Sequence, residues 1–205
     1  MKVLIINGFP ITNKFLIFVN IMKVIFLDND GVICLHAQWG GRKRKASKFS
    51  KLNPGVIVPV EHLFDDLDIK AVRILNKILI ETGAEIVVSS DWKTKASLEE
   101  LSHIYKLHGV IKSPIDFTPN FDSGVIYRTA KQLASDRCVE INMWLEAHPE
   151  VTKWVAIDDL DLSEKFGAIS GNLHTGLKNF VHTTKQTEGI KQSGIKEKII
   201  KFLKD

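Results

Sequence analysis

The sequence predicts an α/β protein: a three-layer, Rossmann-like parallel sheet flanked by helices, with no large cap domain. Three observations carry this. Short apolar runs rich in β-branched residues alternate along the chain with stretches of helical periodicity. Several of those runs end abruptly in acids or hydroxyls. No interval between elements is long enough for a large second domain. Strands that alternate with helices imply parallel pairing through right-handed crossovers.

The first run, Lys23–Leu27 (KVIFL), has no polar face and reads as a buried central strand. It ends in Asp28-Asn29-Asp30-Gly31, a loop signal. Gly40 to Pro59 is polar and irregular, with the basic run Arg42-Lys43-Arg44-Lys45, and reads as an exposed loop or flap within residues 36–60. Asp66 to Thr82 places Ile69, Val72, Ile74, Leu75, Ile78 and Leu79 at helical spacing, and Gly83 stops that helix. Ala84–Ser89 is a second strand, ending in Ser89 and Ser90. Lys95–His108 is a helix stopped by Gly109, and Pro114 to Ser123 is a loop. Cys138–His148 reads as a third helix. Trp154–Ile157 is a strand that ends in Asp158-Asp159, and Asn179–Thr183 is a further short strand. Ile190–Leu203 closes the chain as a basic amphipathic helix whose apolar face packs on the sheet.

Composition sets bounds. Of 205 residues, 44% are apolar and 25% charged, which is the balance of a folded globular chain rather than a disordered one. The formal charge of +4 suits an anionic substrate. Cys34 and Cys138 are far apart, give no disulfide framework or metal-ligand spacing, and suit a reducing, cytoplasmic setting. Residues 1–21 are apolar but broken by Asn7, Gly8, Pro10, Asn13, Lys14 and Asn20, and no small-residue cleavage signal follows. They are read as an N-terminal extension whose order the sequence leaves open, ahead of a domain over 22–205. No apolar run reaches the roughly 20 residues of a membrane span, so no membrane partner is expected.

In open parallel sheets, ligands bind beyond the carboxyl ends of the strands. Asp28 and Asp30 follow one predicted strand, Ser89 and Ser90 a second, Asp158 and Asp159 a third. Gathered at one edge, these acids would repel one another unless a cation neutralised them. Oxygen ligands without His or Cys favour Mg²⁺, with a substrate phosphate completing its shell. Asp28 can then attack phosphorus as a carboxylate nucleophile. Asp30 can protonate the leaving oxygen and later deprotonate water. Gly31 permits the tight turn. Ser89 offers a hydroxyl to the phosphoryl oxygens. Arg137, taken to lie at the start of the third helix, is the expected phosphate-balancing cation, with Lys131 as the alternate. Ser90, Trp92 and Lys93 stand next to the hydroxyl motif as candidate substrate contacts; Trp92 fits either a base-stacking platform or a core plug. His36, Asp122 and Asp161 show no informative spacing.

These motifs resemble the haloacid dehalogenase superfamily of phosphohydrolases. VIFLDNDGV matches its first motif, IVVSS its second and WVAIDD its fourth, over about Lys23 to the C-terminus. The resemblance implies Asp28 as nucleophile, Asp30 as acid/base and Ser89 as phosphoryl ligand. It implies Mg²⁺ held by Asp28, the Asp30 backbone carbonyl and Asp158, with Asp159 in support. More narrowly, DRCVEINMWLEAHPEVTKWVAIDDLDL, VVSSDW and FVHTTKQTEGI are similar to the phosphatase-like domains of Swiss Army Knife RNA-repair proteins, and more loosely to phage polynucleotide 3′-phosphatase domains. That likeness implies Arg137 in the third-motif role, although the superfamily usually has Lys there. It also shows Cys138 where that subfamily commonly has Gly.

The expected activity is Mg²⁺-dependent phosphomonoester hydrolysis through an aspartyl-phosphate. With no large cap, an open site would admit an RNA or DNA end, its backbone held by Arg42 and Lys43. The alternatives are a small-molecule or nucleotide monophosphatase, and a non-catalytic nucleic-acid-binding module of the same fold. Oligomeric state is left open.

Overall fold

The computed structural model describes residues 22–35, 45–64, 66–121, 129–163 and 176–204. The N-terminal extension, Arg42, Lys43, Arg44, His36 and Asp122 lie outside them.

The core is a five-stranded sheet with β1 (Met22–Leu27), β2 (Glu85–Val88), β3 (Asp116–Phe117), β4 (Val151–Asp158) and β5 (Phe180–His182) in the order β3-β2-β1-β4-β5. Every pairing is parallel. Around it stand α1 (Val60–Leu63), α2 (Ile69–Thr82), α3 (Leu98–Leu107), α4 (Ala130–Ala147) and α5 (Ile195–Lys204).

Side chains alternate across a strand, so the central strand must be apolar on both sides. In β1, Ile25 and Leu27 join Ile86, Val88, Val155 and Ile157 against α2, α3 and α5. Val24 and Phe26 point the other way, with Val87 and Ala156, into α4 residues Ala134, Cys138, Ile141 and Trp144. Phe26 meets the Trp144 and Trp154 rings edge-on at 5.3 and 5.7 Å. Two buried faces on one sheet make three layers. Truncating Phe26 to Ala would cost roughly 3–5 kcal/mol.

Local chemistry moves several boundaries from the sequence reading. The α2 helix begins at Ile69 rather than Asp66, because the Asp68 side chain caps the Ala71 N–H at 2.8 Å. Likewise α3 begins at Leu98, fixed by a reciprocal capping box between Ser97 and Glu100. The stretch before it, Asp91–Thr94, forms a 3₁₀ turn. The helix read as Cys138–His148 starts eight residues earlier, at Ala130, capped by Thr129. Its first half buries Ser135, Asp136 and Arg137 rather than an apolar stripe, so hydrophobic periodicity does not reveal it. Within the expected loop 114–123 lies β3, an edge strand too short to show a period. The terminal helix starts at Ile195, after a 3₁₀ turn at Gly189–Lys191. Residues 45–52, expected as irregular flap, are helical; Phe49 there packs on His62 of α1 at 4.9 Å. No helix among the described residues is long and apolar enough to cross a membrane.

Candidate active site

Strand register builds the site. Leu27 of β1 pairs with Val88 of β2 on one side and with Ile157 of β4 on the other. One residue further along, the three central strands therefore deliver Asp28, Ser89 and Asp158 side by side. Backbone bonds lock the row: Asp28 N–H donates to the Ile157 carbonyl at 3.0 Å, and Ser89 N–H to that of Leu27 at 2.9 Å.

Beyond Asp28 the chain turns sharply. The Asn29 carbonyl accepts from the N–H groups of Val32, Ile33 and Cys34, and the buried Tyr105 hydroxyl donates to Asn29 Oδ1 at 2.6 Å. Burial pushes the Tyr105 phenol well above its usual range, so it stays a donor. Gly31 has φ +73°, and a Cβ there would lie 2.5 Å from Asp159 Oδ2. Glycine thus lets Asp159 close over the turn.

Asp28, Asp158 and Asp159 each offer an oxygen within 4.8 Å of the others. Asp28 and Asp158 are buried, and Asp159 is partly so. Burial, then repulsion from Asp158, pushes the Asp28 carboxyl well above its usual range; Arg137 opposes this. Burial also raises Asp158, to about 6, against the pull of Arg137. Asp159 is raised by burial and partly relieved by a hydrogen bond from Gln186. Three crowded carboxylates, all held above their ordinary range, fit a hard divalent cation such as Mg²⁺.

One protein cation already reaches into this group. Arg137 NH1 donates to Asp158 Oδ2 at 2.9 Å, to Asp28 Oδ1 at 3.3 Å and to the Ser89 carbonyl; NH2 reaches Asp91 at 3.3 Å. Burial works against its charge, but Asp158, Asp28, Asp91 and Glu140 outweigh burial and hold the guanidinium protonated. Arg137 lies just before the middle of a longer helix than expected, two turns in from its start, so no helix N-terminus assists it. Lys131 is exposed on the first turn of α4.

The remaining predicted residues separate. Ser89 Oγ is buried without a hydrogen-bond partner among the described residues. Ser90 is buried and bonded to the Asp28 carboxyl. The Asp30 carboxylate stands outside the three-acid group and accepts from Trp92 Nε1 at 3.0 Å. Trp92 and Lys93, read as contacts at the site's mouth, are turned inward by the 3₁₀ turn. Trp92 is 2% exposed and stacks on Phe64 at 4.3 Å, which makes it a plug rather than a platform for a base. The Lys93 side chain is buried on Glu140 at 2.7 Å, Thr118 Oγ1 and the Pro119 carbonyl at 2.9 Å, with burial lowering its pKa. That ammonium is spent on structure.

Sequence reasoning missed the brace behind the acids. Thr183 Oγ1 donates to the Gly31 carbonyl at 3.1 Å, and Thr183 N–H to that of Asp158 at 2.9 Å. His182 Nε2 meets the Asp159 carbonyl at 2.9 Å. His182 ends β5, and Thr183 and Gln186 follow it in a polar stretch with no chemical motif of its own. Asp91 was also missed, although it directly follows the hydroxyl pair.

A parallel α/β sheet whose three central strands carry an acid, a buried hydroxyl and a second acid pair at their tips, with no large cap among the described residues, defines a class: the haloacid dehalogenase type. The comparison with known families agrees. A family described as the HAD domain in Swiss Army Knife RNA repair proteins matches residues 24–193, and the chain belongs to that family. Such a domain points to a phosphatase-type hydrolase. Comparison with curated proteins and with solved structures returned no match.

Proposed function

We propose that the protein is a Mg²⁺-dependent phosphomonoesterase that acts through an aspartyl-phosphate on Asp28. The observation that carries this reading is the convergence of Asp28, Asp158 and Asp159 within 4.8 Å beside a buried, unpartnered Ser89 hydroxyl. Asp28, Asp158, Asp159 and the Asp30 backbone carbonyl are the groups available to hold the ion. Bound there, Mg²⁺ would offset the carboxylate charge and that of an incoming phosphate.

The chain's own residues divide the remaining work. Asp28 attacks phosphorus; the ester O–P bond breaks as the Asp28 O–P bond forms. Asp30 gives its proton to the departing oxygen, then takes one from the water that releases inorganic phosphate and regenerates Asp28. Ser89 donates its idle hydroxyl to a phosphoryl oxygen. Arg137 and Ser90 fix the nucleophile's orientation from two sides.

For substrate we favour a nucleic-acid end. Family membership in an RNA-repair group supports it. So does the helical stretch 45–52, which exposes Lys48 and Lys51 beside the sequence run Arg42–Lys45. Cations on such a ridge suit a phosphate backbone.

Hydrolysis of p-nitrophenyl phosphate with Mg²⁺ tests the chemistry, and Asp28→Asn is expected to retain the fold while losing more than 99-hundredths of the rate, roughly the scale of a lost nucleophile. An inactive wild type across several divalent metals would favour the binding module. Release of phosphate from 3′- and 5′-phosphorylated RNA and DNA, against free nucleotides, tests the substrate. Turnover of mononucleotides alone would favour the small-molecule reading.

A further inference from the structure

We propose that Trp92 is a positioning residue for the acid/base, holding the Asp30 carboxyl at the angle from which it protonates the leaving group. This rests on the phosphatase reading of the site and extends it to a residue that sequence alone offered as a substrate contact.

The geometry is specific. Asp30 leaves β1 on the turn around Asn29, so its side chain projects from a loop rather than a strand. Trp92 approaches from the 3₁₀ turn after β2 and donates its indole N–H to Asp30 Oδ2 at 3.0 Å. The indole itself cannot swing: it is 2% exposed and lies against Phe64 at 4.3 Å with planes 30° apart. A buried indole N–H wants an acceptor, and a rigid ring lends its direction to whatever accepts. One Asp30 oxygen is thereby fixed in direction, and the planar carboxyl turns with it. Trp has a donor and no acceptor, so the contact runs one way: the indole N–H gives and the Asp30 oxygen accepts.

The leaving group reads out this role. A p-nitrophenolate departs as a stable anion and needs little help, whereas phenolate or an alkoxide needs a proton in the transition state. The parameter kcat/KM reports the first phosphoryl transfer, in which Asp30 acts as acid. Trp92→Phe keeps an aromatic ring on Phe64 and removes only the donor. We expect kcat/KM for phenyl phosphate and a 3′-phosphorylated oligonucleotide to fall about tenfold more than for p-nitrophenyl phosphate, a partial loss of a general-acid contribution. We also expect this selective loss to vanish when Asp30 is already Asn, since both changes would remove one function.

A uniform loss across leaving groups, or equal losses in the Asp30 and Asp30→Asn backgrounds, would overturn the proposal and leave the phosphatase reading standing. If Trp92→Phe does not fold, Phe64→Leu serves: it keeps the indole N–H but loosens its seat, and the same selectivity should appear at smaller amplitude; a uniform loss there counts equally against it. A wild type that turns over none of the three esters would defeat the phosphatase reading and this one together.

Discussion

Gly31 and Asp159 occupy the same small space: a methyl on Gly31 would sit 2.5 Å from the Asp159 carboxylate oxygen and 2.6 Å from its Cβ. The turn after Asp28 and the acid after β4 are thus fitted to each other through the absence of a side chain. Gly31→Ala should therefore displace Asp159 and also strain a backbone at φ +73°, for a combined cost of about 1–3 kcal/mol. The informative readout is the midpoint of Mg²⁺-induced thermal stabilisation, expected to move to at least tenfold higher Mg²⁺. An unchanged midpoint would mean Asp159 is not part of the ion's surroundings.

Ser89 separates stability from activity. Its hydroxyl is buried with no hydrogen-bond partner among the described residues, so Ser89→Ala removes none of their hydrogen bonds and relieves a desolvated polar group. Melting temperature is expected to hold or rise slightly, while kcat/KM falls about 10- to 100-fold, toward the range for losing one oxyanion donor. A variant that melts lower and keeps its activity would show the hydroxyl to be structural.

Arg137 is the buried counter-charge for two acids. Arg137→Met leaves Asp28 and Asp158 desolvated without it, and breaking such a group costs about 3–5 kcal/mol. Mg²⁺ should restore part of that loss, because it supplies charge to the same oxygens. Arg137→Lys keeps the charge but cannot span Asp158, the Ser89 carbonyl and Asp91 at once; its destabilisation should be smaller. Denaturant melts with and without Mg²⁺ decide both points, and equal stability of the Met variant and the wild type would remove Arg137 from this role.

Acidity of Asp158 predicts the pH response. An unfolded aspartate titrates near 3.8 and the folded Asp158 near about 6. A raised acid pKa means the fold prefers the protonated form. The contribution is complete below 3.8 and is lost as pH rises through about 6. Asp28 shifts in the same direction. Metal-free protein should accordingly melt several degrees higher at pH 5 than at pH 8, and Asp158→Asn should flatten that slope. Mg²⁺ competes with the proton, so its binding should weaken as pH falls through about 6. A metal-free melting temperature that rises from pH 5 to pH 8 in parallel for wild type and Asp158→Asn would contradict this.

The sequence by itself determined the parallel α/β class and the tips of the three central strands. Those features are written in local code: apolar runs buried on both faces have no polar alternation, and a run that ends in Asp-Asn-Asp-Gly, Ser-Ser or Asp-Asp announces its end by composition. Tertiary structure decided what each side chain near those tips faces. Whether Trp92 meets solvent or Asp30 depends on a 3₁₀ turn and on Phe64, 28 residues away in the chain. Lys93 is consumed by Glu140 and Arg137 shared among Asp28, Asp158 and Asp91 only because α4 packs across the strand ends. The brace from Thr183 and Gln186 was silent for the same reason. Hydrogen bonds between groups distant in sequence leave no periodicity, and a polar residue looks alike in the sequence whether it points to water or to a buried acid.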